Sequence, residues 1–194
     1  MMRNYITLPM HSPRVLGITG WSGAGKTTLL TRLIPLLVGR GLRVSTLKHA
    51  HHDFDVDVPG KDSHTHRQAG ATEVIVASSR RWVQMHELAG EAEPTLAELL
   101  ERLTPCDLVL VEGYKRERHP KLEVYRASVG KPPLHPQDPH VVAVATDGPL
   151  PGAGCPVIDL QDKQAVADAV LAHAMPLGEV LARLRRADPG TLSG

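Results

Sequence analysis

The sequence predicts a single α/β domain built on a mostly parallel, doubly wound sheet flanked by helices. Short apolar runs of strand length alternate with stretches of helical periodicity, and neither an internal repeat nor a dividing linker interrupts them. One run, 107–111 (DLVLV), is almost wholly apolar, as suits a parallel strand covered on both faces. The 194 residues fit one domain spanning 1–194, with 1–13 and 188–194 expected as flexible ends.

Each element has a local reason. Residues 14–19 (RVLGIT) make a strand that stops at Gly20, and the Leu-rich stretch 26–38 makes a helix. Pro35 lies inside that helix, removes a backbone donor and is expected to kink or shorten it. Gly39 and Gly41 close the unit, 43–48 (RVSTLK) alternates as a second strand, and a polar segment follows. β-branched content makes strands of 73–77 and 81–86. Thr95 caps a helix through Leu103, with Leu96, Leu99, Leu100 and Leu103 on one face and Glu98 completing a capping box. After 107–111, strands are expected at 122–125 and 141–145, separated by a Pro-rich loop, 131–140 (KPPLHPQDPH), of the composition expected for a mobile segment. A last short strand at 156–160 leads to Asp162, which caps a helix through His173. Pro176 then starts an amphipathic helix with Leu177, Val180, Leu181 and Leu184 on one face.

Composition excludes several classes. Lys and Arg number 22 against 21 Asp and Glu, so the chain lacks the basic excess of a nucleic-acid binder, and six aromatic residues are too few for base-stacking platforms. Two cysteines, Cys106 and Cys155, form no disulfide framework and no C-x-x-C motif, which fits a reducing compartment. No apolar run reaches the ~20 residues of a membrane span, and 1–13 lacks the order of a signal peptide, so the expected location is the cytoplasm. The 11 histidines outnumber the aromatics, and five of them lie between His49 and His66.

The sharpest motif is Gly20-Trp21-Ser22-Gly23-Ala24-Gly25-Lys26-Thr27, a G-x-x-x-x-G-K-[ST] loop between a predicted strand and a predicted helix. Glycines let the backbone wrap a polyphosphate, N–H groups at the helix start face the anions, Lys26 reaches the β- and γ-phosphates, and the Thr27 hydroxyl binds Mg²⁺. The fold expected is therefore that of the P-loop NTPases. Gly20, Ser22, Gly23, Ala24, Gly25, Lys26, Thr27 and Thr28 are its candidate nucleotide-binding residues, with Lys26 also a candidate for catalysis. Trp21 is read as a large residue packed on the loop in preference to a base-stacking one.

A nucleotide-bound Mg²⁺ needs a carboxylate from a second strand end. Glu112, at the end of 107–111, is the leading candidate, a solvated strand-end acid being the alternative, and Gly113 lets backbone approach the γ-phosphate. The segment 49–63 should emerge at the same sheet edge. Asp53 there is placed to hold Mg²⁺ or orient the attacking water, while Asp55 and Asp57 are read as solvated. His49, His51 and His52 are open to three readings: contacts to phosphate or substrate, a transition-metal site, or surface residues.

Together, GWSGAGKTT, LKHAHHDFDVDVPGKDS, AGA at 69–71 and LVEGYK at 110–115 resemble the MobB family of molybdopterin-guanine dinucleotide biosynthesis adaptor proteins. The resemblance spans 14–115, with looser similarity to Asp147. It implies a GTP- and Mg²⁺-binding protein with weak GTPase activity. It further implies a homodimer assisting the guanylyltransferase that attaches GMP to molybdopterin, with molybdopterin or its guanine dinucleotide as a further ligand. On that basis Gly23, Gly25, Lys26, Thr27 and Thr28 hold phosphates and metal, with Asp53 and Glu112 near the metal. A base-reading acid is expected after a late strand, and Val144-Ala145-Thr146-Asp147 offers Asp147 without an N-K-x-D signature; the alternative is a turn residue before Gly148. Two other classes share the P-loop: a nickel-delivery GTPase, against which Cys155-Pro156-Val157 counts because it lacks the Cys-Pro-His of such proteins, and a small-molecule kinase with Asp53 as base.

Overall fold

A computed structural model describes residues 12–50 and 54–187. His51, His52, Asp53 and both expected flexible ends, apart from Ser12 and Pro13, lie outside the described residues. The chain forms two compact units, one made of the segments up to His49 and from Leu96 onward, the other of Ala50–Thr95.

The larger unit is the expected mostly parallel sheet with helices on both faces. Its strands are β1 (Arg14–Thr19), β2 (Val44–Lys48), β5 (Leu108–Glu112), β6 (Lys121–Tyr125), β7 (Val141–Thr146), β8 (Val157–Asp159) and the two-residue β9 (Met175–Pro176). The order β2-β5-β1-β6-β7-β8 is parallel throughout, and only β9 runs antiparallel, beside Arg14 and Val15 of β1. That position is open because β6 joins β1 only from Gly17 onward. Pro176 is accordingly extended, and the final helix, α5, starts one residue later (Leu177–Ala187) than the sequence suggests.

Alternation along β1 decides which helices cover which face. Leu16 and Ile18 point into a cluster with Leu29, Leu30, Leu33 and Leu37 of α1 (Lys26–Gly39) and Val166, Ala167 and Val170 of α4 (Lys163–His173). Val15 points the other way, to Leu96 and Leu100 of α3 (Leu96–Glu101) and Val180 and Leu184 of α5. α4 begins where expected, the Asp162 carboxylate accepting from the Gln164 and Ala165 N–H groups.

Pro35 neither shortens nor ends α1, which runs to Gly39. A mid-helix proline costs about 3 kcal/mol. Four buried leucines contribute about 1.5–3 kcal/mol each. Pro35 is on the exposed side, where water can reach the carbonyl left without a donor.

The loop after β6 also departs from expectation, since it is tied down by buried charge. Glu123 is fully buried, and its carboxylate accepts the Leu134 N–H (2.6 Å), the His135 N–H (2.9 Å) and a contact from the His135 ring (3.2 Å). Lys121, also buried, pairs with Asp138 at 2.8 Å.

In the smaller unit, α2 (Asp62–Gln68) is followed by the antiparallel pair β3 (Glu73–Ala77) and β4 (Trp82–His86). Arg67 binds Asp55 and Glu87, each at 2.8 Å, with Asp57 at 3.6 Å, and Ser63 donates to Asp57. The reading of Asp55 and Asp57 as merely solvated is thus corrected: both neutralise one arginine. The Asp57 N–H and then Arg67 hold the Asp55 carboxyl below its usual range. Ile75, Val76, Trp82 and Val83 of the pair leave large apolar side chains exposed.

Candidate nucleotide site

The sheet places its functional residues by one rule: in parallel sheets ligands bind beyond the carboxyl ends of the strands, where connections diverge from a central strand. β1 is that strand here, and Gly20 follows it, Glu112 ends β5, Arg126 follows β6, and Asp147 follows β7.

The loop's backbone needs its glycines. At Gly20 φ is +140°, and a Cβ would lie 2.4 Å from the Val124 carbonyl oxygen, so no other residue fits between β1 and β6. Gly25, at φ +94°, stands immediately before α1 and turns the chain into it. Ala24 is buried, Ser22, Gly23, Thr27 and Thr28 are exposed, and the start of α1 presents N–H groups that no preceding turn satisfies.

Lys26 folds back over the loop, donating to the Gly20 and Trp21 carbonyls at 3.0 Å each. Burial lowers the pKa of its ammonium from the ordinary lysine value, Lys115 and Lys48 lower it further, and Glu112 opposes them. A phosphate in the loop would favour the charged form and offset both effects. The Thr27 hydroxyl donates to Glu112 at 3.3 Å, and Lys48 lies 3.9 Å from the same carboxylate oxygen. A hydroxyl and a carboxylate so juxtaposed, from the helix start and a neighbouring strand end, are the hard-oxygen donors that suit Mg²⁺, which takes its remaining ligands from phosphates and water. Among the described residues no three His, Cys, Asp or Glu side chains cluster as a metal-binding set.

Gly113 (φ +94°) and Tyr114 (φ +48°) turn the chain sharply after β5. A Cβ at Gly113 would meet the His49 Cβ at 2.9 Å, while the His49 N–H bonds the Glu112 carbonyl and its ring lies 4.8 Å from the Tyr114 ring. His49 therefore packs the junction of β2 and β5 beside Glu112. Trp21 is held specifically: its indole N–H donates to the Pro132 carbonyl at 2.7 Å, with Lys115 4.8 Å and Lys131 5.9 Å from the ring centre.

Asp147 lines a cavity of about 300 Å³ with Thr146, Gly148, Val157, Ile158 and Asp159. Of the expected site residues, the P-loop, His49, Glu112 and Gly113 meet at the ends of β1, β2 and β5, and Asp147 stands across the sheet at β7. Sequence reasoning missed Lys48, Lys115, Arg126 and the anchoring Glu123. Lys48 and Arg126 each stand at or just past the end of a strand, the position that singled out Glu112.

Comparison with known proteins agrees with this architecture. The family model described as molybdopterin guanine dinucleotide synthesis protein B, MobB, matches residues 15–147. The chain is 46% identical over 160 residues to the molybdopterin-guanine dinucleotide biosynthesis adapter protein of Escherichia coli K12, covering 81% of this chain and 91% of that protein. It is 49% identical over 137 residues to the protein of the same name from Haemophilus influenzae, covering 70% and 76%. A crystal structure of molybdopterin-guanine biosynthesis protein B superposes with a TM-score of 0.63 at 27% identity, over 81% of this chain and 98% of that one. The chain belongs to the MobB family.

Proposed function

We propose that the protein binds GTP with Mg²⁺ at the P-loop and serves as an adapter in molybdopterin guanine dinucleotide synthesis, working in the cytoplasm with the guanylyltransferase that joins GMP to molybdopterin. The observation that carries the nucleotide reading is the Gly20–Thr28 loop, with Lys26 inside it and the Thr27 hydroxyl on Glu112. Lys26 supplies the cation for the β- and γ-phosphates, and Thr27 and Glu112 hold the metal. Bound Mg²⁺ would neutralise phosphate charge.

Hydrolysis on this reading is weak. Glu112 is engaged by Thr27 and Lys48, which leaves water activation to Asp53 or to a partner's group. Asp147, beside its cavity, accepts from the guanine N1 and N2 donors. His49, beside Glu112 and Gly113, borders the phosphate end. The exposed apolar side chains of β3 and β4 support a homodimer.

Calorimetry with GTP, GDP and ATP, with and without the guanylyltransferase, tests the reading. GTP should bind more tightly than ATP and should join a complex of both proteins. Equal affinity for ATP, or no association with the guanylyltransferase under any nucleotide condition, would overturn it.

A further inference from the structure

Among the described residues, Arg126 reaches both halves of the candidate nucleotide site. It follows β6, the strand between β1 and β7. Its guanidinium lies 3.6–3.8 Å from the position a Cβ would take on Gly25, and its Nε lies 3.4 Å from Asp147 Oδ2. That Nε is shielded from solvent and has no hydrogen-bond acceptor among the described residues, so the contact with Asp147 is an ion pair without a well-aligned N–H···O bond. A planar fork with five donors is suited to anionic oxygens and is incompletely used here.

The sequence of β7 adds a second reason. An N-K-x-D signature carries a cation two residues before its aspartate, whereas here Val144, Ala145 and Thr146 precede Asp147 and bring none. We infer that Arg126 supplies that cation from the neighbouring strand and is a specificity-determining residue. It fixes the Asp147 carboxylate for the purine edge and donates to the phosphate nearest Gly25, so that base recognition and phosphate binding are linked through one side chain. This rests on the GTP reading above.

The test is nucleotide binding by Arg126→Ala and Arg126→Lys against the unaltered protein, using GTP, GDP and ATP, with thermal melting to confirm folding. Failure of the unaltered protein to bind GTP would dismiss the underlying reading and this inference with it. With that binding in place, Arg126→Ala should weaken GTP and GDP by about tenfold or more, the range of a lost charge-assisted bond, and should narrow the GTP-over-ATP preference. Arg126→Lys, which keeps the charge but not the fork, should recover part of both. GTP affinity unchanged in Arg126→Ala, or weakened with the same base preference, would overturn the link. If the alanine variant does not fold, Arg126→Lys decides by the same ratio.

Discussion

Acid should destabilise this protein through one buried imidazole. His119 has no solvent exposure, packs its ring so closely on β1 that a Cβ at Gly17 would lie 2.4 Å from Nε2, and finds no partner for either ring nitrogen among the described residues. Burial, joined by Lys121 and His140 and opposed by Asp138, pushes its pKa down to about 3. In the unfolded chain the ring titrates near the ordinary value of 6.5. Between those values the unfolded state carries a proton that the folded state refuses, so stability rises with pH across the window and is lost as pH falls from about 6.5 toward 3. The loss amounts to about 1.4 kcal/mol at pH ~5.5 and about 2.7 kcal/mol at pH ~4.5. Urea unfolding of the protein and of His119→Leu at several pH values between about 7.5 and 4.5 measures it, because subtracting the two curves cancels carboxylates common to both. The difference should grow in favour of the leucine variant as pH falls, by those amounts. A difference that stays flat over this range would refute the buried neutral histidine.

Glu123→Ala leaves the Leu134 and His135 N–H groups without their acceptor in a buried place and should cost about 3 kcal/mol or more. Because Pro132 in the Pro-rich loop accepts the Trp21 indole, the variant should also shift Trp21 fluorescence, and a stability change below about 0.5 kcal/mol with unaltered emission would show that the loop does not depend on Glu123. Sedimentation should find a dimer, and Trp82→Glu, at an exposed apolar position on β4, should drive it toward monomer; a dimer unaffected by the change would place the interface elsewhere.

Most of the sheet is legible in the sequence because buried parallel strands are short apolar runs, and 107–111 could scarcely be anything else. The P-loop is legible because φ +140° at Gly20 and a backbone neighbour 2.4 Å from its missing Cβ admit glycine alone. Pro35 misleads because propensity describes an isolated helix, whereas four leucines packed on β1 and its neighbours decide this one. The loop 131–140 looks mobile from its prolines, since nothing in its own sequence reveals that Glu123 and Lys121 on β6 face it. Trp21 and Arg126 share that difficulty: their partners, Pro132, Gly25 and Asp147, are far away in the chain and come together only through strand order.

On the proposed function, the Gly20–Thr28 loop holds the polyphosphate of GTP through Lys26. Calorimetric titration of GTP with Mg²⁺ into the protein and into Lys26→Ala tests it most directly, with thermal melting to show that both are folded. Binding by the unaltered protein that falls by about a hundredfold in the variant, as expected when a charged hydrogen-bonding partner of a phosphate is removed, is the predicted result. A folded Lys26→Ala protein that binds GTP as tightly as the unaltered one would contradict it.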